Sequence, residues 1–147
     1  MSTAIVYYSK HHGNTEKLVD AIKAKYPDVK LVDITKTRVE DLSVYNRIGI
    51  ASGIYFGKFN NDLTDYIKKA LPHAISVFAL YSCGNKSDKY TREIKRIAEE
   101  KGCKYLGEYG CFGFDTFGPF KLIGGIQKDH PTEEEIAGAV HFYETLM

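Results

Sequence analysis

A parallel α/β fold with helices on both faces of one sheet is predicted by three observations. Short runs of β-branched and aromatic residues alternate with segments in which apolar residues recur at helical spacing. The connections between them are mostly short, which suits strand–helix–strand units whose right-handed crossovers pack each helix back onto the sheet. Three polar, glycine-containing stretches each follow a strand run, where sheets of this kind bind ligands. At 147 residues, 44% hydrophobic and 27% charged, the chain reads as one soluble domain spanning residues 1–147. A domain of this size buries roughly 68–70% of its unfolded surface.

Ala4 to Tyr8 is a continuous apolar run too short for a helix, as expected of a strand buried on both faces. Leu18, Val19, Ala21 and Ile22 then follow a helical period, with Asn14 or Thr15 as the expected N-cap. After Pro27, Val29 to Ile34 reads as a second strand, and the polar Thr35 to Asn46 leads to a third, Arg47 to Ala51, ending at Ser52 and Gly53. The stretch IYFGKFNN is expected to be an aromatic loop. Leu63, Tyr66, Ile67 and Ala70 mark a helix closed by Pro72. Ala74 to Tyr81 forms a fourth strand and SCGNKSDK a polar loop; Tyr90 to Lys101 is a helix stopped by Gly102. Cys103 to Phe112 is the fifth strand, and Thr132 with Glu135 three residues later is a capping box opening the last helix. Its buried stripe is Ile136, Ala139, Val140, Tyr143 and Leu146.

The loop Ser9 to Thr15, S-K-H-H-G-N-T, joins a strand to a helix start, where unsatisfied N–H groups favour an anion. Neither G-x-G-x-x-G nor G-x-x-x-x-G-K-[ST] is present, which excludes the dinucleotide fingerprint and the Walker loop. Holding phosphate with hydroxyls and amides at the end of the first strand, this loop resembles the phosphate loop of flavodoxins. It departs from the usual flavodoxin loop in one respect, with three residues rather than two between Ser9 and Gly13. That spacing, the GIYFGKF stretch and the long segment after the fifth strand also resemble flavodoxin-type protoporphyrinogen oxidases.

The flavodoxin resemblance implies a three-layer sandwich around a five-stranded parallel sheet of order 2-1-3-4-5, with the ligand between strands 1 and 3. It implies FMN, with the phosphate held by Ser9, Lys10, His11, His12, Gly13, Asn14 and Thr15. Tyr55, Phe56 and Tyr90 are the aromatics available to stack on the ring, Tyr55 being favoured. Ser52, Gly53 and Gly57 would supply main-chain contacts beside the ring, and Ser82, Cys83, Gly84 and Asn85 would face its pyrimidine end. The function implied is one-electron transfer between redox partner proteins, a reductase and an acceptor, by a monomer. The alternative is a flavodoxin-fold oxidoreductase, such as a protoporphyrinogen oxidase or a quinone reductase.

Other chemistries find no support in the residues. The three cysteines form no C-x-x-C and suit reduced thiols rather than a disulfide framework or a zinc site; Cys83 has no histidine obviously paired with it for nucleophilic work. A net charge of +1 without a long run of one sign gives no footprint for nucleic acid. No apolar run approaches the ~20 residues of a membrane span, and the absence of a signal-like N-terminus leads us to expect a cytoplasmic protein. Gly113 to Pro131 is long for a connection, and its Phe114, Phe117, Phe120, Leu122 and Ile123 are expected either to pack as a small core or to meet a partner or substrate.

Overall fold

A computed structural model describes residues 2–10, 13–38, 41–85, 87–113 and 129–147. In chain order the elements are β1 (Thr3–Tyr8), α1 (Asn14–Lys25), β2 (Lys30–Asp33), β3 (Arg47–Tyr55), β4 (Lys58–Phe59), α2 (Asn61–Ala70), β5 (Ser76–Cys83), α3 (Arg92–Glu100), β6 (Lys104–Phe112) and α4 (Glu133–Thr145), with a 3₁₀ turn at Leu42–Val44. The strand order is β2-β1-β3-β5-β6, all parallel, which is the predicted 2-1-3-4-5 arrangement. β4 is an addition, pairing antiparallel with the end of β3.

Alternation along the strands explains why the central ones read as unbroken apolar runs. In β1, Ala4 and Val6 join the core shared with Leu63 and Ile67 of α2 and Ile94 and Ile97 of α3. Ile5 and Tyr7 point to the opposite core, with Val19 and Ile22 of α1, Phe78 of β5 and Tyr143 of α4. Both faces are therefore covered.

Two local expectations are corrected. The predicted aromatic loop is largely a β-hairpin: β3 runs on to Tyr55, and Ile54 pairs with Phe59 and Tyr55 with Lys58. Its two-residue tip, Phe56 and Gly57, takes positive φ at both positions (51° and 78°), the handedness that matches the twist of the flanking strands. The second correction concerns the start of α1. Its N-cap is Gly13, in the left-handed region (φ 66°) with no side-chain cap, so Asn14 and Thr15 already belong to the helix.

The capping box of α4 forms as expected, with Glu135 N–H donating to Thr132 Oγ1 (3.1 Å) and Thr132 N–H to Glu135 Oε1 (2.9 Å). Glu135 does more than cap. Its Oε2 accepts the N–H of Phe112 at the end of β6 (3.1 Å), and its Oε1 also shares a hydrogen bond with His130 Nδ1. The His130 ring meets Phe112 edge-on at 5.4 Å, so one carboxylate ties the end of the edge strand to the last helix.

Candidate functional site

The parallel register sets the C-terminal ends of β1, β3 and β5 side by side: Tyr8 lies opposite Ser52, and Gly53 opposite Ser82. Three predicted site loops therefore leave the sheet at one edge. In the first, Gly13 starts α1 without a side chain to cap it, and Ser9 Oγ accepts the N–H of Glu16 from outside the helix (3.1 Å). The early N–H groups of a helix are an anion's natural partners, and a serine hydroxyl already stands among them here. Lys10 is exposed beside it, while His11 and His12 lie outside the described residues.

Asn14 and Thr15 are turned inward. Asn14 is buried, and Gly113 after β6 approaches it so closely that a Cβ on Gly113 would stand 2.6 Å from Asn14 Nδ2. Glycine at 113 is thus what lets the end of β6 close over the helix start. Thr15 Oγ1 and Ser82 Oγ are hydrogen-bonded at 2.9 Å, both buried, which joins the first site loop directly to the third. Removing either hydroxyl leaves the other buried without its partner. Thr15→Val and Ser82→Ala should each cost about 1–3 kcal/mol in urea unfolding, and the double variant should cost less than their sum. Additive losses would show that the two hydroxyls do not depend on each other.

The hairpin forms the wall of an open cleft of about 330 Å³ lined by Tyr8, Tyr55, Phe56, Lys58, Asn60 and Asp62 among others. Tyr55 meets Tyr8 edge-on, with ring centroids 5.9 Å apart and planes at 85°. Phe56 at the tip is 82% exposed, in a backbone conformation a bulky residue adopts at a cost. The predicted Ser52 is fully buried and holds the hairpin instead of facing the cleft: its hydroxyl donates to Gly53 O and accepts the N–H of Asn60 (3.1 Å). Asn60 in turn caps α2, its Oδ1 accepting from Asp62 and Leu63 N–H.

In the third loop Gly84 is buried and Asn85 exposed. Tyr90 does not lie in α3; its hydroxyl donates to Asn85 O and its ring meets Tyr81 edge-on at 5.6 Å. Cys83 is part of the core, its thiol donating to Cys111 O (3.4 Å) and its carbonyl accepting from Gly113 N–H (2.9 Å). Burial pushes the Tyr81 phenol up to about 12, so it stays protonated at neutral pH.

Sequence reasoning missed Tyr8, Asn60 and Gly113. Asn60 carried a signal, since an asparagine just ahead of the periodic Leu63 and Ile67 is a good N-cap. Gly113 carried none, because its role depends on packing against a residue far away in sequence. Among the described residues no group of three or more His, Cys, Asp or Glu could hold a metal ion, and no helix is long and apolar enough to cross a membrane. The predicted apolar segment of Phe114, Phe117, Phe120, Leu122 and Ile123 lies outside the described residues.

The family model described as Flavodoxin domain matches residues 5–113. An uncharacterised protein of Methanocaldococcus jannaschii is 34% identical over 149 residues, covering 100% of this chain and 99% of the relative. A solved structure of a flavodoxin from the domain Archaea superposes with a TM-score of 0.69 at 18% identity, covering 98% of each chain. A flavoprotein from Lactobacillus acidophilus solved in complex with FMN gives a TM-score of 0.55 at 19% identity, over 75% of this chain and 92% of that one.

Proposed function

The chain belongs to the flavodoxin domain family, and on that premise we propose that it binds FMN at the C-terminal ends of β1, β3 and β5 and carries single electrons between a reductase and an acceptor protein. The observation that carries the reading is that the α1 start, with glycine as its N-cap, and an aromatic-walled cleft both lie at the C-terminal ends of the neighbouring strands β1 and β3. An anionic tail and a flat ring suit those two environments. The FMN bound by the similar Lactobacillus acidophilus flavoprotein supports the choice of ligand.

Ser9, Gly13 and the first N–H groups of α1 would hold the phosphate, with Lys10, His11 and His12 close in sequence. Asn14 and Thr15 would act from beneath, fixing the helix start against Gly113 and Ser82. Tyr55 and Tyr8 would border the ring, Gly57 and the rest of the hairpin tip would lie along its edge, and Gly84 and Asn85 would meet its polar end. Bound FMN supplies one-electron redox chemistry. The protein's part is to orient the ring and keep its neighbours in place, which Ser52 does for the hairpin through Asn60. The exposed Phe56 at the hairpin tip would be free to meet a partner protein.

Fluorescence titration tests the reading. Riboflavin lacks the phosphate, and losing about two hydrogen bonds to a charged group should weaken it about 100-fold or more relative to FMN. Equal affinities for the two flavins would refute the assignment of the Ser9 loop. If the FMN-loaded protein turned over a porphyrinogen or a quinone by itself, the oxidoreductase reading would replace the carrier.

A further inference from the structure

A second cavity lies at the opposite end of the sheet, where β1 and β3 begin. It has a volume of about 280 Å³, and its walls include Thr3, Tyr26, Val29, Arg47 and Tyr143. Arg47 is unusual there, being an arginine only 3% exposed. Buried arginines are normally paired with a carboxylate, because an uncompensated charge is costly to remove from water. No described carboxylate forms an ion pair with Arg47.

Its partners are all neutral. Nε donates to Thr3 Oγ1 (2.9 Å), Nη1 to Leu146 O (2.9 Å) and Nη2 to the Tyr143 hydroxyl (3.1 Å). The guanidinium carbon also lies 5.1 Å from the centroid of the Tyr143 ring. A guanidinium has five N–H donors, so these three bonds leave one N–H on Nη1 and one on Nη2. The C-terminal dipole of α4 offsets part of the charge through Leu146 O but gives those two donors no acceptor.

We propose that this cavity binds a small organic monocarboxylate, its carboxylate on the two remaining N–H groups of Arg47 and its apolar body against Tyr26, Val29 and Tyr143. A forked guanidinium matches a carboxylate geometrically. The apolar rings and Val29 favour a ligand with a hydrocarbon body over an inorganic ion. The volume falls just below the roughly 300–1,000 Å³ typical of ligand sites, which limits the ligand to about the size of benzoate. Lys25, already paired with Glu144 at 2.7 Å, and the exposed Asp28 stand among the lining residues. Asp28 opposes an anion. The site is separate from the flavin loops, and the proposal does not depend on them.

The test is an NMR titration of the full chain with sodium benzoate, alongside benzyl alcohol, phosphate and chloride. Saturable shifts centred on Val29, Arg47 and Tyr143 are expected for benzoate, with benzyl alcohol at least about tenfold weaker for lack of the charge-assisted pair. Arg47→Lys, which keeps the charge but loses the fork, should weaken benzoate about tenfold. Asp28→Asn, an exposed change that leaves the core intact, should tighten it about two- to fivefold by removing a like charge. Should Arg47→Lys fail to fold, benzyl alcohol and Asp28→Asn decide the matter. Absence of saturation by ~10 mM benzoate, an equal response to benzyl alcohol, phosphate or chloride, or shifts confined to the Ser9 to Thr15 loop would each overturn the proposal.

Discussion

Replacing Phe78 with alanine is expected to destabilise the fold by about 3–5 kcal/mol, the range for emptying the site of a fully buried aromatic ring. Phe78 has no exposed surface and lies in the first half of β5, the strand flanked on both sides by parallel neighbours. Its ring stands 6.3 Å from Phe142 and 5.9 Å from Tyr143, the two aromatics through which α4 packs on the sheet. The hole would open between a sheet and a helix that are each fixed by other contacts, so collapse can recover little of the loss. Urea unfolding should show the midpoint falling with an unchanged slope. Phe78→Leu should cost less than half as much, and Phe56→Ala at the exposed hairpin tip should stay within about 0.5 kcal/mol. A Phe78→Ala loss below ~1.5 kcal/mol would mean that α4 re-packs freely and that its seat on β5 is not specific.

The same strand shows what could be read in advance. Runs such as Ala4 to Tyr8 and the middle of β5 were legible because burial on both faces removes polar residues altogether, and the strand order followed once the flavodoxin likeness was seen. The hairpin was not legible, because its tip is Phe-Gly and not one of the asparagine- or aspartate-glycine pairs that favour such turns. Within the site, the grouping of three loops came from topology, whereas the direction of each hydroxyl did not. Thr15 and Ser82 are 67 residues apart, and their hydrogen bond exists only because β5 lies two strands from β1, across β3, at a particular register. Ser52 likewise reads as a free loop serine until Asn60 is seen to donate to it. Spacing in sequence locates a site; it does not say which of its polar groups are spent on holding it together.

Glu135 shows the other side of that distinction, since its capping role was legible and its hold on β6 was not. Glu135→Ala removes the return arm of the capping box, worth about 1 kcal/mol, and leaves the Phe112 N–H without its charged acceptor, worth about 1.5–3 kcal/mol. The expected loss at pH 7 is about 2.5–4 kcal/mol. It should depend on pH in a defined direction. Burial alone would push the Glu135 carboxyl up, but the Thr132 amide, His130 and the Phe112 amide together outweigh it and hold the carboxyl below the ordinary glutamate range. A group whose pKa is depressed by folding contributes its stability in full above the unfolded-state value and loses it as pH falls through the folded-state value. The carboxylate's share of the gap between wild type and Glu135→Ala should therefore narrow as pH falls below about 4. Urea unfolding at pH 7 and pH 3.5 reads this directly. A gap as wide at the acid pH as at pH 7 would show that the clasp between β6 and α4 does not use the charge of its carboxylate.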